Sequence, residues 1–197
     1  MTLHLLTKAS MDGHHEVVTK HHRFESRVVG VEVWDFSHLE AFALKVGVDL
    51  TTDNTTEIDV IVLFANHCFT RELRRDEIVA TELIWQDSRE IRVLDRGRYE
   101  LSVRYLPQII LDLPQRHVRV ADHRRPNFVT FEIPPSEDWT GQGLYAVFFE
   151  VEKDARRRKR VLLRIQSAYL LQTPKHRLLK AEKINFHILL KNAYKKK

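Results

Sequence analysis

Hydrophobic and polar positions divide the chain into segments of different period. Residues 2–7 and 16–20 are short β-capable runs around the polar MDGHH, and the Asp12-Gly13 pair there is a turn signal, so a hairpin is predicted. Val28 to Trp34 (VVGVEVW) alternates and is predicted as one strand, with Val29, Val31 and Val33 on one face. Ser37 followed by Glu40 fits a capping box, and Leu39, Phe42, Ala43, Val46 and Leu50 then recur at helical spacing, which predicts an amphipathic helix ending at the polar TTDNTT of residues 51–56. Ile58 to Phe69 (IDVIVLFANHCF) is nearly continuous in Val, Ile and Leu, the signature of a central strand covered on both faces.

Residues 70–90 give no clear period and read as a mobile or edge segment. Ile91 to Leu94 fits a short strand. Arg98 to Leu113 fits a helix interrupted at Pro107, where the missing amide forces a kink or a second start. Four strands are predicted next, His117–Asp122, Phe128–Ile133, Tyr145–Glu152 and Val161–Leu171, and their short polar connections imply antiparallel neighbours. Residues 174–183 read as a loop or short helix, and Ile184–Leu190 as a last strand or helix turn.

The last hairpin has a register of its own. If Glu150 faces Arg164, Val151 faces Leu163, residues 154–160 form the loop, and Val147, Phe149, Val151, Leu163 and Ile165 share one face. Glu150 and Arg164 then form a cross-strand charge pair on the other, and Ser167 and Tyr169 fall on the face of Leu163 and Ile165.

Alternation of strand and helix periods with short connections predicts an α+β protein, a mainly antiparallel sheet packed by two or more helices. The 197 residues fit a single domain: an N-terminal strand and helix part (1–94), a helix with four antiparallel strands (95–171), and a basic C-terminal segment (172–197). The sequence has no run of about 18 apolar residues, and its N-terminus lacks the basic and apolar regions of a signal peptide, so a cytoplasmic protein without a membrane partner is expected. A single cysteine, Cys68, precludes an internal disulfide.

Charge changes the picture more than composition does. Residues 1–152 hold 17 basic and 25 acidic side chains, whereas residues 153–197 hold 15 basic and 2 acidic, so an overall +5 conceals −8 in the body and +13 in the last quarter. Such an asymmetry points to a polyanion. The basic run Arg156, Arg157, Arg158, Lys159 and Arg160, with Arg164, Lys175, Arg177 and Lys180, is a candidate nucleic-acid surface, because Lys and Arg attract phosphates whatever the base and Arg adds bidentate contacts. Arg116, Arg119, Arg124 and Arg125 form a second candidate patch, with alternation setting His117 and Arg119 apart from Val118 and Val120. The alternative is a solvated loop that aids solubility.

Three groups are candidates for chemistry. His67 and Cys68 end the predicted central strand, but adjacent strand residues point to opposite faces, and neither has a metal-ligand companion at the usual spacing; no metal or cofactor is expected. Ser167 and Tyr169 lie near a strand end, where Tyr can stack on a base or donate a proton, or simply bury its ring. Arg98, Ser102 and Tyr105 recur at helical spacing, as a polar cleft wall or an exposed stripe.

The helix and four antiparallel strands of residues 98–171 resemble the layout of small bacterial ribonuclease toxins of the barnase and RelE kind. That resemblance implies RNA as substrate and Arg98, His117, Ser167 and Tyr169 as catalytic candidates. Separately, EVWDFSHLEAFALKV, VLFANHCFT and QSAYL resemble bacterial proteins labelled "stationary phase growth adaptation protein". The expectation from the chain as a whole is a bacterial protein that binds RNA or DNA through its basic C-terminal quarter. A metal-independent ribonuclease is the first alternative. The second is a non-catalytic stress-adaptation factor docking on an acidic protein or a second copy of itself.

Overall fold

A computed structural model describes residues 24–195, apart from 52–53, 88–89, 123–126, 133–142, 156, 158 and 174–175. The hairpin predicted over residues 2–20 lies outside them. The chain forms an α+β fold on a seven-stranded sheet, with the helices α1 (Arg96–Asp112) and α3 (Phe186–Lys195) packed into its core and a short α2 (His176–Leu179) between them in the chain.

The sheet strands are β3 (Phe42–Thr51), β4 (Asn54–Phe64), β8 (His117–Asp122), β9 (Asn127–Glu132), β10 (Leu144–Lys153), β11 (Arg160–Leu171) and β12 (Lys183–Asn185). They lie in the order β12-β8-β9-β10-β11-β4-β3, antiparallel throughout except for the parallel pair β11–β4. The four strands predicted from residue 117 to 171 are present, and β4 extends their sheet. β4 is not the predicted central strand, since it lies between β11 and the edge strand β3, but its apolar run is covered on both faces as expected: Ile58, Val60 and Val62 enter the main core, while Ile61 and Leu63 join a smaller cluster with Ala43 and Leu162.

Residues 42–51 are a strand and not the predicted helix. Phe42, Val46 and Leu50 recur every four residues, which fits both periods, but Leu44, Val46 and Val48 are the buried set, and that is a period of two. Pairing with β4 along most of its length decides the outcome. Ser37 to Leu39 make only a 3₁₀ turn, without a side-chain cap, and the Ser37 hydroxyl donates to Asp35 Oδ2 at 2.7 Å instead. The single strand expected over Val28–Trp34 is likewise a hairpin, β1 (Arg27–Val29) and β2 (Glu32–Trp34), turning at Gly30 with φ +61°.

The predicted strand 58–69 stops at Phe64, and Asn66 to Cys68 form a 3₁₀ turn. Residues 70–90, read as mobile or edge, supply β5 (Thr70–Glu72) and β6 (Ile84–Gln86), which flank β7 (Ile91–Leu94) in a three-stranded antiparallel sheet. The segment lacked a readable period because its strands are three residues long and separated by a charged turn, in which Arg71 holds Glu77 by two hydrogen bonds.

α1 begins at Asp95, whose carboxylate accepts from Arg98 N at 2.9 Å, and Leu113-Pro114-Gln115 end it as a 3₁₀ turn. It runs unbroken through Pro107. The amide that proline lacks would have bonded the carbonyl of Val103, which lies on the exposed face of the helix, where water can replace it. Leu106, Ile109 and Ile110 of α1 and Phe186, Leu189 and Leu190 of α3 pack on Val147, Phe149, Val151, Leu163 and Ile165, the sheet face predicted as core.

Candidate functional sites at the two ends of β11

The β10–β11 ladder pairs Glu150 with Arg164 and Val151 with Leu163, the predicted register. The charge pair is different: Arg164 Nε reaches diagonally to Glu152 Oε1 at 2.6 Å. A bulge then shifts the register, so that Phe149 faces Ile165 but Phe148 faces Ser167, leaving Gln166 unopposed. Ser167 and Tyr169 therefore switch to the face opposite Leu163 and Ile165, and Ala168 takes the buried place. The expectation that Ser167 and Tyr169 share the core face fails at this one residue.

The basic run does not project as five cations. Arg160 begins β11, is 3% exposed, and donates through Nε to Asp154 Oδ2, itself on a residue 5% exposed. The loop closes around that pair: Asp154 N bonds Arg160 O at 3.1 Å, and Asp59 N bonds Lys159 O at 3.0 Å. Arg157 and Lys159 are exposed at the tip. Arg156 and Arg158 lie outside the described residues, as do Lys175, Arg124 and Arg125.

Other basic segments meet this tip. Lys153 Nζ stands 6.0 Å from the ring centroid of Tyr194 in the last turn of α3, and Lys195 Nζ donates to Leu50 O at 3.0 Å. The β8–β9 ladder ends at the pair Asp122–Asn127, with Asn127 also opposite Glu150 of β10. Arg119 lies further back on the sheet, donating to Ala181 O at 3.1 Å, and Arg116 is taken up by Glu132 and Asp112. Arg177 is the second residue of the short α2, which follows the end of β11 away from the tip.

That other end holds a cleft of about 530 Å³ between the first turns of α1 and residues 169–172. Here the fold brings together two residues 71 positions apart. The Arg98 guanidinium lies 4.7 Å from the ring centroid of Tyr169, whose ring is also stacked on Phe148 at 5.6 Å. Arg98 Nη1 donates to His67 O at 3.1 Å and Thr70 O at 2.7 Å, so the 3₁₀ turn after β4 anchors it. Burial lowers the pKa of this guanidinium, with Asp95 partly offsetting the effect.

Of the other residues at helical spacing, Tyr105 lines the cleft but Ser102 is fully buried, 2.8 Å from His38 Nε2 and donating to Tyr99 O. The polar wall is thus Arg98 and Tyr105 without Ser102. His117 and Ser167 do not join the cleft. His117 is exposed on β8, three strands from β11, a lateral separation of roughly 14 Å. Cys68 is buried, and desolvation pushes its thiol up to about 12; His67 turns away to Glu90 Oε1 at 2.6 Å, a carboxylate shared with Arg92. Nothing in the local sequence marks the His67–Glu90 or Arg98–Tyr169 partnerships, because each is set by tertiary packing.

The hairpin tip and the cleft lie at opposite ends of one strand. Arg160 and Tyr169 are nine positions apart on β11, roughly 30 Å of extended chain. They are two sites.

These features define a class, an α+β protein on a seven-stranded, mainly antiparallel sheet with a basic pole and a separate arginine-bearing cleft. Residues 22–194 match the YjaZ family, and the chain belongs to that family. No curated protein and no solved structure matches it. No helix among the described residues is long and apolar enough to cross a membrane.

Proposed function

We propose that this protein binds nucleic acid, with RNA the favoured partner, through the pole formed by the β10–β11 tip and the C-terminal end of α3. The observation that carries the reading is the approach of Lys153 to Tyr194, which brings the two basic segments of the last quarter to one end of the sheet. Exposed Arg157, Lys159 and Lys195 there supply phosphate contacts that are independent of base identity. Arg160 and Arg164 are not phosphate ligands in this reading. Their carboxylate partners make them parts of the scaffold that holds the tip.

The test is binding of a fluorescein-labelled single-stranded RNA over a range of salt, in competition with an acidic polypeptide such as polyglutamate. The reading expects RNA to bind more tightly than the polypeptide and to weaken steeply as salt rises. Tighter binding of polyglutamate than of RNA would favour an acidic protein partner and overturn it. A cleavage reaction has less support, because His117, Ser167 and the Arg98–Tyr169 pair do not converge.

A further inference from the structure

We propose that the cleft between α1 and the end of β11 is a binding site for a small organic oxyanion, a carboxylate or phosphate monoester with an apolar body, held by Arg98 and Tyr169. The inference does not rest on the nucleic-acid reading, since the basic pole is at the other end of β11.

The donor arithmetic of Arg98 carries it. A guanidinium has five N–H groups. The two on Nη1 go to the carbonyls of His67 and Thr70, and the guanidinium carbon lies over the Tyr169 ring, 4.7 Å from its centroid. Among the described residues the edge formed by Nε and Nη2 has no acceptor, and no carboxylate lies within ion-pair distance of Arg98. That edge takes two oxygens of a carboxylate or phosphate side by side. The two carbonyls and the ring hold it in place beforehand, so little freedom is lost on binding.

The charged lining of the cleft is balanced, with two carboxylates against two guanidiniums. Asp95 and Glu100 line the cleft with Arg98 and Arg104, but both carboxylates have other cations: Asp95 Oδ2 is 3.6 Å from Arg71 Nε and its Oδ1 caps α1, while Glu100 Oε1 is 3.6 Å from Arg96. The Tyr169 hydroxyl has no hydrogen-bond partner among the described residues and supplies a further donor beside Arg98. Leu101 and Leu170 provide apolar wall, and the volume suits a ligand of monomer size.

Isothermal titration calorimetry of the full chain with phenyl phosphate, benzoate and inorganic phosphate tests this. The expected result is saturable binding of at least one of the two organic anions, tighter than inorganic phosphate. Which of the two binds tells phosphate from carboxylate. Arg98→Lys should weaken binding about tenfold or more, and Tyr169→Phe, which keeps the ring stack and removes only the hydroxyl, by several-fold. If thermal melting shows that Arg98→Lys does not fold, Tyr169→Phe decides alone. Saturable binding by neither organic anion, binding no tighter than that of inorganic phosphate, or unchanged affinity in Tyr169→Phe or in folded Arg98→Lys overturns the proposal.

Discussion

Arg160 and Asp154 form a buried ion pair that closes the β10–β11 hairpin, with side chains 4% and 5% exposed. Two charges removed from water stabilise a fold little as a pair, but either one left alone is costly. Asp154→Ala removes the carboxylate from the buried guanidinium and should destabilise the protein by about 3–5 kcal/mol. Urea denaturation monitored by tryptophan fluorescence measures this, and a loss below about 1 kcal/mol would show that the pair is solvated.

Arg71 and the amide of Arg74 hold the Glu77 carboxyl down at about 2, against an ordinary value of 4.5. Because the folded value is depressed, the contribution of this group is fully present above about 4.5 and is lost as pH falls through about 2. Carboxyl-carbon NMR should place the Glu77 midpoint near 2. A midpoint near 4.5 would mean that the two hydrogen bonds from Arg71 do not persist in solution.

Cys68 should be silent in the native protein. Its thiol is fully buried and pushed up to about 12, so a disulfide reagent such as DTNB at pH 8 should label it only after unfolding. Reaction of the native protein within minutes would show that the 3₁₀ turn of residues 66–68 opens readily.

These outcomes bear on what the amino-acid sequence can convey. Strands β8 to β11 were legible because each is six or more residues long and rich in β-branched, aromatic or other large apolar side chains. The Glu150–Arg164 register was legible as well, since apolar residues on one face force it. The charge partner was not, because Glu150 and Glu152 are equally eligible and only side-chain geometry separates them. Residues 42–51 carried both periods at once, and a partner strand decided between them. The bulge at Gln166 leaves no mark in composition, yet it moves Tyr169 to the other face. Arg98 and Tyr169 were each visible as candidates, but their meeting depends on a helix docking against the end of a strand 71 residues away.

The proposed nucleic-acid binding requires that exposed cations at the β10–β11 tip contact phosphates. The most direct measurement is the salt dependence of single-stranded RNA binding by fluorescence anisotropy, for the wild-type chain and for the Arg157→Ala, Lys159→Ala double variant. Each lost phosphate contact should lower the slope of log affinity against log salt by about 0.7, so the double variant should lose about 1.4 and bind more weakly at every salt concentration. An unchanged slope and affinity, in a variant whose thermal melting matches that of the wild type, would contradict the account.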